Sequence, residues 1–253
     1  MSSTLVTEAL SVLELRQYTL HPGRRDDLIA LFEREFVEAQ EDCGMQVLGT
    51  FRDLDDADRF VWLRGFADMA ARPGALGAFY GGPVWQRHRD AANATMSDSD
   101  NVLLLRPLVC DQGLQAALLP RPAIGASLQA DGIFTITLCP LRVPATDALV
   151  HAFDRCIHPW WVGVGGDLLA CWVTEPAANN FPRLPVREGE PHIAWLTRFD
   201  DATAQQRHAA LLRASGCLER AEWRAHLAGE PTQLRLAPTP RSALRRRHSS
   251  LES

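Results

Sequence analysis

The chain contains no lysine; all 26 basic residues are arginine. Enzyme-bound Schiff bases, pyridoxal phosphate attachment and P-loop phosphate binding all need a lysine amine, so those chemistries are excluded. Codon bias from a GC-rich genome is the simplest explanation of the replacement. No Cys-x-x-Cys occurs: Cys43, Cys110, Cys139, Cys156, Cys171 and Cys217 are scattered along the chain, and are expected to be reduced thiols, several of them in the core. No Gly-x-Ser-x-Gly, Walker A or Gly-x-Gly-x-x-Gly is present, which argues against hydrolase-elbow, P-loop and Rossmann readings. No His-x-His or His-Glu-x-x-His spacing appears, so no local metal site is expected. No apolar run approaches the ~20 residues of a membrane span. Met1 to Leu10 lacks the basic residues and apolar stretch of a secretory signal, and a cytoplasmic protein is expected. A net charge of −5 disfavours nucleic acid and anionic membranes as partners.

What is present is enough for a substantial core: 253 residues, 46% of them hydrophobic. Residues 12–23 read Val-Leu-Glu-Leu-Arg-Gln-Tyr-Thr-Leu-His-Pro-Gly, a strand running into a helix start. Alternation sends Leu13, Leu15 and Gln17 to one face and Val12, Glu14, Arg16 and Tyr18 to the other. The first face is suited to packing on helices. The second carries an acid, a base and a phenol, so it is wet or lines a polar cavity. Pro22 to Asp42 has helical spacing, with Leu28, Leu31, Phe32 and Phe36 inward. Strands are expected over 45–51, 60–66 and 101–107. A helix beginning at Ala67 is interrupted by Pro73-Gly74, and a short helix follows over 84–92.

The order β-α-β-β-α-β is the ferredoxin-like unit, and it recurs after residue 131. Trp195-Leu196-x-x-Phe199 copies Trp62-Leu63-x-x-Phe66, and Trp223-x-x-His226 matches Trp85-x-x-His88. The expected organisation is a disordered N-terminus over 1–10 and a first repeat over 11–108. A linker over 109–131, a diverged second repeat over 132–240 and a disordered basic tail over 241–253 complete it.

The strand order predicts that the first and third strands are neighbours, so Glu14, Arg16, Tyr18, Trp62 and Arg64 converge on one cleft. There Arg16 would hold an anionic or carbonyl oxygen, Tyr18 donate a proton or hydrogen bond, and Glu14 act as base. Trp62, Arg64, Tyr80 and Trp85 are the candidate substrate-binding residues, Trp62 as an aromatic wall. The competing reading is a structural ion pair between Glu14 and an arginine inside a barrel interface. Gly81-Gly82 could offer backbone N–H groups to an anion, against the plainer role of a turn between helices. His88, His226, His151 and His158 are the residues able to ligate a haem iron, and the plainer reading makes them exposed or capping. No cofactor is predicted.

The first half resembles the NIPSNAP family. The resemblance rests on Glu14-Leu15-Arg16-x-Tyr18 with Pro22-Gly23, Gly49-x-Phe51 before an acidic loop, residues 60–66 and Phe79-Tyr80-Gly81-Gly82-Pro83-Val84-Trp85. It implies the dimeric α+β barrel superfamily, in which two ferredoxin-like units pair their sheets into one barrel. Here both would lie in one chain, as a monomeric pseudo-dimer or a homodimer of such chains. In the second half Glu14, Arg16 and Tyr18 align roughly with Gly132, Phe134 and Ile136. The superfamily includes cofactor-free monooxygenases and haem-handling proteins. Three functions follow: a small-molecule binder using the first-repeat cleft; a cofactor-independent monooxygenase or isomerase acting on an aromatic or polyketide-like compound; or a non-catalytic interaction module with a filled barrel.

Overall fold

In a computed structural model of the chain, residues 10–108, 112–125, 132–163 and 165–246 are described. The first repeat runs β1 (Val12–Leu20), α1 (Arg25–Leu31), a π-helical turn (Phe32–Phe36), α2 (Val37–Glu41), β2 (Gln46–Asp53), β3 (Arg59–Phe66), α3 (Arg72–Gly81), α4 (Pro83–Asn93), a short β4 (Met96–Asp98) and β5 (Val102–Pro107). After α5 (Gln112–Ala117) the pattern returns: β6 (Ile133–Pro140), α6 (Asp147–Cys156), α7 (His158–Gly163), β7 (Asp167–Thr174), β8 (His192–Phe199), α8 (Ala202–Ser215), α9 (Ala221–Arg224) and β9 (Thr232–Pro238).

Eight strands form a closed antiparallel barrel in the order β3-β2-β9-β6-β8-β7-β5-β1, with β1 returning to β3 and β4 appended to β1. Within each half the order is that of the ferredoxin-like unit. The halves join where β2 meets β9 and where β5 meets β7. Both second strands carry a register shift at corresponding points, Val47/Gly49 in β2 and Leu168/Ala170 in β7. The fold is therefore α+β, two ferredoxin-like repeats closing one barrel within a single chain.

Alternation divides the strands between two environments. Leu13 and Leu15 point into the barrel, where they meet Leu63, Leu105, Phe134, Ile136, Trp172, Leu196 and Leu236. Each such buried side chain contributes roughly 1.5–3 kcal/mol of hydrophobic stabilisation. The opposite face of β1 is the one covered by helices: Val12, Tyr18 and Leu20 pack with Phe32, Phe36, Leu76 and Phe79. This reverses the expectation for the two faces of β1, because barrel closure gives Leu13 and Leu15 an interior built mainly from other strands.

Three further expectations are corrected. Residues 112–125 are not an open linker: Leu114 and Ala117 enter the barrel core, and Leu118 bridges Leu244. The chain from Arg241 to Arg246 is not a free tail. Arg241, Ser242, Ala243 and Leu244 are buried, Leu244 N–H donates to the Leu48 carbonyl at 3.1 Å, and Arg241 pairs with Glu38. Residues 1–9 and 247–253, expected to be disordered, lie outside the described residues. Finally, β6 pairs Thr135 with Thr197 and Thr137 with Trp195, as β1 pairs Glu14 with Arg64 and Arg16 with Trp62. The counterparts of Glu14, Arg16 and Tyr18 are thus Thr135, Thr137 and Cys139. Gly132, Phe134 and Ile136 are out of phase by one strand face.

Among the described residues no helix is long and apolar enough to cross a membrane.

Candidate functional site

The β1–β3 ladder sets Glu14 opposite Arg64, Arg16 opposite Trp62 and Tyr18 opposite Phe60. Because β1 is covered by helices on this face, these polar groups are buried rather than wet. Most of their polar atoms pair with one another, while Arg64 Nη2 and Trp62 Nε1 are buried without a hydrogen-bond partner. Glu14 Oε2 accepts from Arg16 Nη1 at 2.7 Å and Arg64 Nε at 2.8 Å. Glu14 Oε1 accepts from Arg72 Nη2 at 2.6 Å and Nε at 2.8 Å. Arg64 Nη1 donates to Gln40 Oε1 at 2.9 Å. Arg72 comes from the first turn of α3, where Pro73 opens the helix instead of interrupting one.

One carboxylate thus faces three guanidinium groups, leaving the cluster two positive charges in excess. Burial alone would raise the Glu14 pKa, but Arg64, Arg16 and Arg72 together hold it far below the usual carboxylate range. Aromatic rings partly offset the surplus. The Arg16 guanidinium lies 5.6 Å from the Trp62 ring centre, and that of Arg64 lies 5.1 Å from it.

Arg16 has a second partner: its Nε donates to the Tyr18 oxygen at 2.9 Å. Burial pushes the Tyr18 phenol above its ordinary 10.0, against the opposing pull of Arg16, so it stays protonated. Both side chains line a cleft of about 190 Å³ with Tyr80, Trp85, Asn93, Met96, Ser99, Phe181, Arg183 and Leu184. Tyr18 and Tyr80 are the chain's two tyrosines. Among the described residues no acidic side chain lines the cleft.

All seven sequence-predicted site residues meet here. Arg16, Tyr18, Tyr80 and Trp85 line the cleft, whereas Glu14, Arg64 and Trp62 lie behind Arg16 in the buried cluster. Tyr80 and Trp85 pack edge to face at 4.9 Å, and Trp85 also packs on Phe36 and Phe79. Sequence reasoning missed Arg72, Gln40 and the loop after β7. That loop reaches across from the second repeat: Arg72 Nη1 donates to Asn179 Oδ1 at 3.0 Å and Asn180 Oδ1 at 2.9 Å. Gly81-Gly82 joins α3 to α4, and the Gly82 N–H is taken by the Phe79 carbonyl.

The histidines are dispersed. His88 contacts Glu35 and Phe36 on the outer side of the first-repeat helices. His151 and His158 are exposed and His226 is half-buried in the second repeat. None lines the cleft. No three His, Cys, Asp or Glu side chains are grouped to hold a metal among the described residues.

Among the described residues the second repeat holds no such cluster. Behind Thr135, Thr137 and Cys139 the space is filled by Trp195, Trp223 and Phe153 with Cys156 and Cys217. Burial raises the Cys139 thiol pKa well above its ordinary value.

Comparison with known proteins fits this architecture. A candidate monooxygenase of Lactobacillus acidophilus NCFM superposes with a TM-score of 0.52 at 13% identity, covering 90% of this chain and 94% of that one. A candidate monooxygenase of Fusobacterium nucleatum gives 0.56 at 8%, covering 91% and 93%. An anthrone oxidase-like protein gives 0.55 at 14%, covering 92% of each. Such low identities establish a shared fold over nearly the whole chain. No functionally curated protein matches the sequence. The NIPSNAP family model matches residues 13–109. The part of the chain similar to the NIPSNAP family is therefore the first repeat, which supplies Glu14, Arg16, Arg64 and Arg72.

Proposed function

We propose that the protein binds a small aromatic or conjugated compound bearing an acidic oxygen, such as a carboxylate, enolate or phenolate, in the first-repeat cleft. One observation carries this reading: Arg16 and the Tyr18 hydroxyl, hydrogen-bonded to each other, line the cleft beside a buried cluster with excess positive charge. Uncompensated positive charge in a buried site costs free energy that an anionic oxygen would recover. Tyr80, Trp85 and Phe181 supply ring faces and edges for a flat ligand.

Glu14 enters as the counter-ion that keeps three arginines folded, not as a base. Its oxygens are saturated by N–H donors, and its depressed pKa makes it a poor proton acceptor. Fold neighbours described as monooxygenases and as anthrone oxidase-like make an enzyme the second reading, for which Arg16 and Tyr18 would stabilise an enolate. The cleft lining has no carboxylate or imidazole to remove a proton, so binding is the reading preferred.

The test is calorimetric titration with benzoate and its neutral isostere benzamide. Benzoate should bind at least tenfold more tightly, about 1.4 kcal/mol, and Arg16→Met should erase the preference while leaving the fold intact. Equal affinities, or a large fall in melting temperature for Arg16→Met with the preference retained, would establish the structural ion-pair reading instead.

A further inference from the structure

The loop between β7 and β8, residues 175–191, belongs to the second repeat yet closes the cleft of the first. Its two ends are tied to β5: the Glu175 N–H donates to the Leu104 carbonyl at 2.9 Å, and the Arg187 N–H to the Val102 carbonyl at 2.8 Å. Its tip is tied to the charge cluster, since the Arg72 that grips Glu14 also holds Asn179 and Asn180. Within the tip, Asn179 Oδ1 accepts from the Phe181 N–H at 3.1 Å and Asn179 Nδ2 donates to the Leu184 carbonyl at 2.9 Å. Asn180 donates to the Met69 carbonyl. The loop is therefore built onto the first repeat as part of the site.

This anchoring delivers two groups. The Phe181 ring lies 6.4 Å from that of Tyr80, tilted by 30°. Arg183 also lines the cleft, is exposed, and makes no ion pair or hydrogen bond among the described residues. Arg16 lies at the buried end of the same cleft. Two cations facing one small volume, with no acid in its lining, repel each other unless an anion lies between.

Resting on the binding reading above, we infer that the ligand is a planar compound with two acidic groups, one received by Arg16 and Tyr18 at the buried end and the other by Arg183 at the mouth. Phe181 faces its ring system. The second repeat thereby sets specificity for the first. Arg16 alone would accept any small aromatic acid; Arg183 selects those with a second anionic end.

Titration with benzoate, phthalate, isophthalate and terephthalate tests this, the three diacids spanning three separations between carboxylates. In the wild type at least one diacid should bind tenfold or more tightly than benzoate. Arg183→Ala should remove that gain, and Arg183→Lys should retain part of it. Raised salt should weaken the favoured diacid more than benzoate. If no diacid exceeds benzoate, or if the gain survives Arg183→Ala, the two-point inference is overturned while single-acid binding stands. If benzoate and all three diacids fail to bind, both readings fall together. Arg183 is exposed and unpaired, so its variants should fold normally, which the melting temperature verifies.

Discussion

At the scale of single residues, Glu14 and Arg16 differ in kind although they touch. Removing one arginine leaves Glu14 with two others and lowers the surplus charge. Removing Glu14 leaves three buried guanidinium groups without a counter-ion, for which breaking a buried pair is the guide at about 3–5 kcal/mol. Glu14→Gln should therefore lower the melting temperature by roughly 10 °C. Glu14 also fixes the acid limb. Its folded-state pKa is depressed, so its contribution is complete above the ordinary carboxyl value of 4.5 and is lost as pH falls from there towards the lower folded value. Glu14→Gln should make the loss of stability below pH 4.5 shallower than in the wild type, as measured by chemical denaturation across pH. An unchanged acid limb would show that other carboxylates govern it. The grouping of Glu14, Arg16 and Tyr18 was legible because strand alternation alone puts them on one face. Arg72 was not: Pro73 and Gly74 beside it read as a helix break, whereas proline in a first turn lacks only an N–H that has no intrahelical partner there.

At the scale of elements, segments with little periodicity do much of the closing. The helix α5, inserted between the repeats, plugs one end of the barrel with Leu114 and Ala117. It approaches β7 so closely that a Cβ on Gly113 would lie 2.8 Å from the Leu169 carbonyl oxygen, a backbone atom. Gly113→Ala should lift this helix and cost about 1–3 kcal/mol, seen in thermal unfolding, with ligand affinity at the helix-covered cleft unchanged. A neutral substitution would mean that α5 is free to shift. Its six residues span under two turns and show no full amphipathic period, which is why the segment reads as a linker. The segment from Arg241 to Leu244 was hidden for a related reason. Its burial depends on Glu33, Glu38, Leu48 and Thr50, all far away in sequence. The loop over 175–191 carries four prolines and no periodicity, so nothing local announced that Asn179 and Phe181 reach the first repeat.

At the scale of the whole molecule, the strand pattern and the repeated Trp-Leu-x-x-Phe motif were enough to foresee two ferredoxin-like units, because strands and helices are set by local periodicity. The register between the halves was harder. Gly132, Phe134 and Ile136 seemed to match the polar residues of β1, but a slip of one position moves a side chain through the barrel wall. Barrel closure also makes each half dependent on the other. Residues 10–108 alone would expose β2 and β5, whose edges are otherwise covered by β9 and β7. Expressed as a fragment, this half should self-associate, with sedimentation velocity giving a dimer or larger species. A stable monomer would show that those edges need no partner.

The Asn179–Arg183 crossing has a consequence for what a single chain permits. When two identical subunits make such a barrel, a covering loop on one must appear on both, and each site receives the same cover. Joined end to end, the halves are released from that symmetry. The second can fill its own interior with tryptophan and commit its loop to guarding its neighbour, a division of labour that a homodimer of one short sequence has no means to encode.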